Sequence, residues 1–326
     1  MKALVVGTGS IGQRHLRNLR ALGVERLLAV DPAEERRNRI VQELGAEAFD
    51  TLDDALARRP QVVLICTPPH LHTPAAQQAL TVGAHVFIEK PIAASLDGLD
   101  ELLAEARRRS RHVCVGYNLR FNPGLRQLKA MLDEGRIGRI LAIRAEFGQY
   151  LPDWRPTQDY RTGYITKVQS GGGIILDASH ELDYVRWLGG EVERVWCAAG
   201  HLSSLEMATE DVAAITLWLS GGVVAEVHLD CVQRAYSRSC KLIGEEGTLV
   251  WDFQEGVHWY DGTRRAWHHD PVTVDPNEMY LDELRHFLRC VHGEDSPSVD
   301  GDTGRRVLEI ALAARRSAER GEVVRC

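Results

Sequence analysis

Three glycines placed directly after an apolar run restrict this chain more than any other feature. Residues 3–6 are apolar, and the following Gly7-Thr8-Gly9-Ser10-Ile11-Gly12 has the spacing GxGxxG. Apolar residues then recur at helical spacing, at Ile11, Leu16, Leu19 and Leu22. A strand, a glycine turn and a helix in this order predict the first βαβ unit of a parallel sheet.

The same alternation of short apolar runs and helical patterns continues to about residue 119. It predicts a doubly wound, N-terminal Rossmann domain over residues 1–119, in an α/β fold. We expect its strands at residues 2–6, 26–31, 47–49, 62–67, 85–88 and 112–116.

The pattern changes after residue 120. A helix is predicted to begin at Pro123, and later strand-like stretches are joined by tight-turn signals such as Ser220-Gly221-Gly222 and Asp261-Gly262. Residues 120–326 are therefore expected to form a C-terminal α+β domain with an open, mainly antiparallel sheet. Residues 212–219 and 222–229 are apolar enough to need cover on both faces, which predicts a homodimer or homotetramer through this sheet.

Composition excludes several classes of function. The 326 residues carry a net charge of −7, which argues against a nucleic-acid surface. No apolar stretch is long enough to cross a membrane, and the N-terminus starts as a strand rather than a secretory leader, so a soluble cytoplasmic protein is expected. The seven cysteines form no CxxC pair, so no metal site is predicted.

The glycine turn predicts a bound dinucleotide. Its backbone N–H groups and the positive end of the helix dipole suit a pyrophosphate, which gives contacts from Gly7, Gly9, Ser10, Ile11 and Gly12. Asp31 lies 24 residues after Gly7, close to the position of a ribose-binding carboxylate. A carboxylate there favours NAD, with NADP possible because Arg36 and Arg37 either bind a 2′-phosphate or form a solvated helix face.

The fourth strand ends in Thr67-Pro68-Pro69-His70-Leu71-His72. Ligands of doubly wound sheets bind at the carboxyl ends of the strands, so Thr67 and Pro68 are expected to contact the cofactor. For His70 and His72 the sequence leaves two interpretations open, since each either contacts the cofactor or has a structural role.

Four short strings along the chain carry a family resemblance. They are Glu89-Lys90-Pro91, Gly116-Tyr117-Asn118, Arg120-Phe121-Asn122-Pro123, and Gly171-Gly172-Gly173 leading to Asp177 and His180. With the opening glycine turn, their order and spacing resemble the Gfo/Idh/MocA oxidoreductase family, which includes glucose-fructose oxidoreductase and inositol dehydrogenases. The resemblance extends over the whole chain.

This resemblance implies a site between the two domains and a substrate that is a sugar, a cyclitol or a nucleotide sugar. It implies that Glu89, Lys90 and Asn118 contact the cofactor, that Lys90 lies near the reacting hydroxyl, and that Asp177 and His180 come from the second domain. The histidine follows the aspartate by three residues, whereas four is the commoner family spacing. The shorter form is similar to branches of the family linked to bacterial surface-sugar synthesis.

Oxidation of a secondary alcohol removes a hydride from carbon and a proton from oxygen. Histidine, with an ordinary pKa of about 6.5, suits the proton transfer, so His180 is predicted to be the general acid/base. Asp177 would bind a substrate hydroxyl or orient the imidazole, and Lys90 would be an electrostatic partner of the reacting oxygen or the alternative base. On one continuous helix, Asp177, His180, Glu181 and Tyr184 would share a face; in the alternative, Asp177 only caps this helix.

The segment of residues 151–173 is rich in proline and glycine and is expected beside the active site. Tyr160, Arg161 and Tyr164 in this segment, together with Arg120, are candidates for substrate binding. The alternatives are that the arginines are surface charges and that the tyrosines cover the core.

These observations together predict an NAD(P)-dependent dehydrogenase that transfers a hydride between nicotinamide and a secondary hydroxyl or ketone. Two alternatives remain open. One is a redox-neutral enzyme with tightly bound NAD that carries out elimination, epimerisation or glycoside cleavage, and the other is a non-catalytic nucleotide-binding regulator.

Overall fold

A computed structural model describes residues 1–272 and 275–326. The strands are β1 (Lys2–Val6), β2 (Arg26–Val30), β3 (Glu47–Phe49), β4 (Val62–Ile65), β5 (His85–Glu89), β6 (Val113–Gly116), β7 (Ile140–Gly148), β8 (Val192–Gly200), β9 (Val212–Leu219), β10 (Val224–Asp230), β11 (Ser237–Gly244), β12 (Gly247–Asp252), β13 (Gly256–Asp261), β14 (Ala266–Asp270) and β15 (Val324–Arg325). The helices are α1 (Ser10–Ala21), α2 (Glu34–Leu44), α3 (Leu52–Leu56), α4 (His72–Thr81), α5 (Leu99–Arg108), α6 (Pro123–Asp133), α7 (Leu151–Trp154), α8 (Ile174–Asp177), α9 (His180–Gly189), α10 (Glu278–Val291) and α11 (Gly301–Arg320).

Residues 1–118 and 276–308 form the first of two compact units. Its six-stranded sheet is parallel and has the order β3-β2-β1-β4-β5-β6, which is the Rossmann order. Strand β4 is buried over its whole length, as expected for a parallel strand with helices on both faces. The predicted parallel sheet is confirmed, and its strand ends agree with the prediction to within two residues.

Helix α10 belongs to the first unit, although the sequence pattern predicts a second domain over residues 120–326. Leu284 and Phe287 are buried in the core of the parallel sheet, and the ring of Phe287 lies 5.6 Å from that of Phe87. An amphipathic pattern shows which face of a helix is apolar but not which core that face covers. The sequence therefore could not assign this helix.

Residues 119–275 and 309–326 form the second unit. Its nine-stranded sheet has the order β14-β13-β12-β11-β7-β10-β9-β8-β15. Strands β7 and β10 pair in parallel and the other neighbours pair antiparallel, which confirms the prediction of an open, mainly antiparallel sheet. The two faces of the sheet differ, because on β10 Ala225, Val227 and Leu229 are buried while Val224, Glu226 and His228 are exposed.

The single helix predicted to carry Asp177 and His180 is two helices. Helix α8 ends at Asp177, Ala178 has a ψ of 34°, and α9 begins at His180. Helix α8 packs on β9 and β10, whereas α9 packs on β7 and β10, so the chain turns between them. The prediction of one continuous helical face was therefore wrong.

The segment of residues 151–173 contains α7 and three short 3₁₀ helices, Tyr160–Thr162, Tyr164–Thr166 and Val168–Ser170. Within residues 1–272 and 275–326, no helix is both long enough and apolar enough to span a membrane. Over the same described ranges, no group of three His, Cys, Asp or Glu side chains is placed to hold a metal ion. Six of the seven cysteines are buried thiols, and Cys326 is exposed.

Replacing Phe287 tests whether α10 completes the first core. Phe287→Ala should lower the free energy of unfolding by about 3–5 kcal/mol, because it leaves a cavity among buried side chains. Urea denaturation followed by circular dichroism measures this loss. Arg289→Ala on the same helix, with a side chain that is 54% exposed, is the control and should change stability by less than about 0.5 kcal/mol. Equal stability of the two variants would contradict the assignment.

Candidate functional site

Close backbone contact defines the glycine turn between β1 and α1. Gly7 has a φ of 89° and donates its N–H to Val30 O at 2.8 Å. A Cβ on Gly12 would overlap Gly7 O, so helix α1 can pack this closely only with glycine there. Gly9 instead faces open space, and among the described residues no side chain caps α1. The N–H groups of the first turn are therefore available to an anion.

Asp31 follows β2 and is 2% exposed. Its carboxylate accepts hydrogen bonds from Thr8 N at 2.9 Å, Thr8 Oγ1 at 3.0 Å and Ala33 N at 3.0 Å. Burial alone would raise the pKa of Asp31, but these hydrogen bonds and the charge of Arg36 outweigh it and lower the pKa. Asp31 is thus an ionised acceptor at neutral pH. Arg37 donates to the carbonyls of Asp31 and Pro32, while Arg36 Nη1 lies 3.4 Å from Asp31 Oδ2.

The residues after β4 differ in their surroundings. Thr67 Oγ1 is buried, and the described part of the chain offers it no hydrogen-bond partner. His70 is exposed. His72 is buried, with its ring nitrogens 2.9 Å from Pro91 O and 2.7 Å from Thr67 O, and burial lowers its pKa. His72 therefore links the ends of two neighbouring strands.

At the end of β5, Glu89 connects the glycine helix to Lys90. His15 Nε2 on α1 lies 2.6 Å from Glu89 Oε1, and Glu89 Oε2 accepts the backbone N–H of Lys90 at 3.3 Å. His15 is fully buried and Glu89 is 9% exposed. His15 was not predicted from the sequence, because the only sign of its contact with Glu89 is its position three residues after Gly12. Asn118, two residues after β6, is buried as well.

The junction of α8 and α9 carries the second group of predicted residues. Tyr164 OH donates to Asp177 Oδ1, and His180 is 9% exposed at the start of α9. The fully buried Glu181 has Arg238 Nε 2.9 Å from its Oε1. Tyr184 is also fully buried, and its OH lies 3.3 Å from Ser239 O. Glu181 and Tyr184 are thus buried against protein partners. Asp177 and His180 remain as candidates for the catalytic residues.

The remaining predicted substrate residues have protein partners. Arg120 forms a two-pronged ion pair with Asp183, at 2.7 Å and 2.8 Å, and its guanidinium lies over the Trp187 ring. Arg161 is about half exposed and pairs with Asp159 and Glu206. Tyr160 OH accepts the backbone N–H of Glu206 at 3.1 Å.

Comparison with known proteins covers both units. The family model described as an oxidoreductase family with an NAD-binding Rossmann fold, Gfo/Idh/MocA, matches residues 1–117, and the model of the Gfo/Idh/MocA C-terminal domain matches residues 125–250. An inositol 2-dehydrogenase of Ralstonia nicotianae is 30% identical over 98% of this chain and 95% of its own length. The chain belongs to the Gfo/Idh/MocA family.

Other proteins similar to this Gfo/Idh/MocA protein also match it over nearly its whole length. A myo-inositol 2-dehydrogenase of Thermotoga maritima is 28% identical over 98% of this chain and 96% of its own length. The structure of levoglucosan dehydrogenase in complex with NADH and levoglucosan superposes with a TM-score of 0.90 at 20% identity, covering 100% of this chain and 98% of that one. By the family match, the chain is an NAD-binding oxidoreductase.

The residues of the first unit fit NAD. The open space at Gly9, the N–H groups of α1 and the ionised Asp31 suit a pyrophosphate and a ribose, and Thr67 Oγ1 is a buried oxygen suited to a further polar contact.

Two residues of the second unit, Glu210 and Arg315, were not predicted from the sequence. Arg315 on α11 donates to Gly172 O and to Glu210 Oε1, so both side chains contact the glycine-rich turn before Asp177. They are separated by 105 residues, and no sequence motif joins them.

Replacing Arg120 tests whether this residue stabilises the fold or binds the substrate. Arg120→Ala should destabilise the protein by about 3–5 kcal/mol, because it leaves the carboxylate of Asp183 buried without its partner. Thermal and urea unfolding measure the loss. Arg161→Ala removes two exposed ion pairs and should cost less than about 1 kcal/mol. If Arg120→Ala kept full stability, the ion pair would have no structural role and a substrate role would be favoured.

Proposed function

We propose that the chain oxidises a secondary hydroxyl of a cyclitol or sugar, including nucleotide sugars, or reduces the corresponding ketone, with hydride transfer to or from NAD. The observation that carries this proposal is the junction of α8 and α9, where Asp177, bonded to Tyr164, is followed by His180. Its support is the similarity, over nearly the whole chain, to proteins named inositol 2-dehydrogenase.

The cofactor contacts are proposed from the first unit. The N–H groups of Gly9, Ser10, Ile11 and Gly12 would hold the pyrophosphate, and Gly7 allows the close backbone approach that this requires. Asp31 would accept hydrogen bonds from the adenosine ribose and disfavour a 2′-phosphate, which would favour NAD over NADP. The further proposed contacts lie after the strands and are Thr67, Pro68, His70, His72, Glu89, Lys90 and Asn118.

The protein groups divide the chemistry between them. Bound NAD supplies the hydride acceptor or donor. His180 takes the proton from the substrate hydroxyl during oxidation and returns it during reduction. Asp177, held at Oδ1 by Tyr164, binds a substrate hydroxyl or orients the imidazole, and Lys90 stabilises negative charge on the reacting oxygen.

The four residues predicted to bind substrate differ in how strongly their contacts support that role. Tyr164 has the strongest, through its bond to Asp177. Tyr160 and Arg161 lie on the same segment, where both contact Glu206. Arg120 orients α9 through Asp183. We therefore propose Tyr164 as a direct substrate contact and the other three as residues that shape its surroundings.

The catalytic assignment predicts the behaviour of two variants. His180→Ala and Lys90→Ala should each lower turnover strongly, by about 10²–10⁴-fold for the histidine, while NADH binding is retained. Turnover is measured as NADH formation with myo-inositol, free hexoses, levoglucosan and UDP-sugars, with NAD and NADP compared. NADH binding is followed by fluorescence.

His201→Ala, in a partly exposed histidine of the second unit, is the control and should turn over normally. Near-normal rates for both His180→Ala and Lys90→Ala would refute the catalytic roles proposed for these residues. Tight NADH binding without turnover of any compound would favour the redox-neutral enzyme or the regulator.

The exposed face of the nine-stranded sheet supports a homo-oligomer. Strand register places a largely apolar row across seven strands, β9, β10, β7, β11, β12, β13 and β14, and no member of the row is fully buried. The row consists of Trp218, Val224, Ala142, Ile243, Thr248, Tyr260 and Trp267. An apolar surface of this kind is typical of a protein interface, and a second copy can cover it symmetrically.

Val224→Arg should dissociate this homodimer or homotetramer, because it places a charge in the middle of the apolar row. Light scattering after size exclusion should show a mass near 36.4 kDa for the variant and a multiple of it for the unsubstituted protein. Leu202→Arg changes an apolar residue that is 75% exposed outside the strands and should leave the mass unchanged. A Val224→Arg protein with the original oligomeric mass would refute this interface.

A further inference from the structure

The turn of Gly171, Gly172 and Gly173 has almost no room for side chains. Gly171 and Gly173 have φ values of 74° and 103°. A Cβ on Gly172 would overlap the carbonyl oxygens of Tyr164 and Ile165, and a Cβ on Gly173 would overlap Glu210 Oε1. The backbone of the turn is thus in direct contact with its neighbours.

Glu210 holds the first residues of α8. Its carbonyl oxygen accepts the N–H of Ile174 at 3.0 Å, and its Oε1 lies 3.3 Å from the N–H of Ile175. Two N–H groups that have no partner inside the helix are satisfied in this way.

Arg315 completes the arrangement from α11. Its Nη2 donates to Gly172 O, and its Nε and Nη2 lie 3.1 Å and 2.7 Å from Glu210 Oε1. The two side chains are only 23% and 15% exposed. A lysine would lack the second donor nitrogen, because the planar guanidinium contacts Glu210 through both Nε and Nη2, whereas an ammonium is a single point charge.

The turn determines the position of Asp177. Asp177 N donates to Gly173 O at 3.0 Å, and Ala178 N donates to Ile174 O at 2.8 Å. The two acceptors are therefore Ile174, which Glu210 holds, and Gly173, which lies between Ile174 and the Gly172 that Arg315 holds. Both lie in α8 or at its start, shortly before His180.

We propose that Arg315 and Glu210 are positioning residues, which set the placement of Asp177 and His180 by holding the glycine turn. This inference rests on the proposed function of those two residues. Neither Arg315 nor Glu210 contacts the reacting groups in this scheme, so removing either should lower kcat more than it raises KM.

A cavity beside the ion pair makes chemical rescue possible. It has a volume of about 280 Å³ and is partly open to solvent. Its walls include Gly172, Glu210 and Arg315, together with small residues such as Ala208 and Ala318. When the side chain of Arg315 is cut back to alanine, guanidinium ion can enter from this cavity and bind Glu210 and Gly172 O.

The test compares Arg315→Ala and Arg315→Lys with Arg320→Ala, which removes an exposed pair on the same helix. Hydrogen–deuterium exchange of residues 173–178 is measured by mass spectrometry, and kcat and KM are measured with whichever compound of the panel is turned over. Arg315→Ala should exchange faster there and lose about 100-fold in kcat with a smaller change in KM. Guanidinium chloride should restore both, with Arg315→Lys intermediate and Arg320→Ala unchanged.

Glu210→Gln keeps the shape of the side chain and serves if Arg315→Ala fails to fold; it too should show faster exchange and lower kcat. Unchanged exchange at residues 173–178 would overturn the proposal, as would a loss of kcat that guanidinium does not reverse. Near-normal turnover in both His180→Ala and Lys90→Ala would instead refute the proposed catalytic roles, and the exchange data would still decide whether Arg315 holds the turn.

Discussion

Direct contact between backbone segments, at positions without a side chain, is the constraint on which both groups of proposed functional residues depend. In the first unit, Gly7 and Gly12 let α1 approach the end of β1, which leaves the N–H groups of α1 open to an anion. In the second, Gly172 and Gly173 let the chain pass against Glu210 and Arg315. A methyl group at either place would separate the segments and move the groups that follow.

Local patterns were enough to predict the first sheet. Its strands are short runs between turn residues, and burial on both faces makes the central ones continuously apolar, as in β4. The edge strand β3, which is exposed or only partly buried, was predicted as well. The antiparallel sheet was predicted for the same kind of reason, since its strands are joined by glycine-containing turns. The break between Asp177 and His180 was not predictable, because α8 packs on β9 and β10 whereas α9 packs on β7 and β10, and residue spacing alone does not report a change of direction.

Charged side chains inside the two units were also beyond sequence reasoning. Arg120 was expected at the substrate and pairs with Asp183, and Glu181 was expected on the catalytic face and lies against Arg238. Within the first unit, His15 and Glu89 link the glycine helix to Lys90. Each pair joins residues far apart in the chain, and buried charges are tolerated only when such partners exist. The partners are fixed by the fold, so the motif residues could be predicted but not their supporting contacts.

The contribution of α10 to the first core affects the order of events during synthesis. Leu284 and Phe287 pack with side chains of the parallel sheet, yet they follow it in the chain by more than 160 residues. A ribosome must therefore make every strand from β7 to β14 before the first core can close. Until then the apolar surface that α10 covers stays open to water and to other chains, which is the condition under which nascent proteins depend on chaperones.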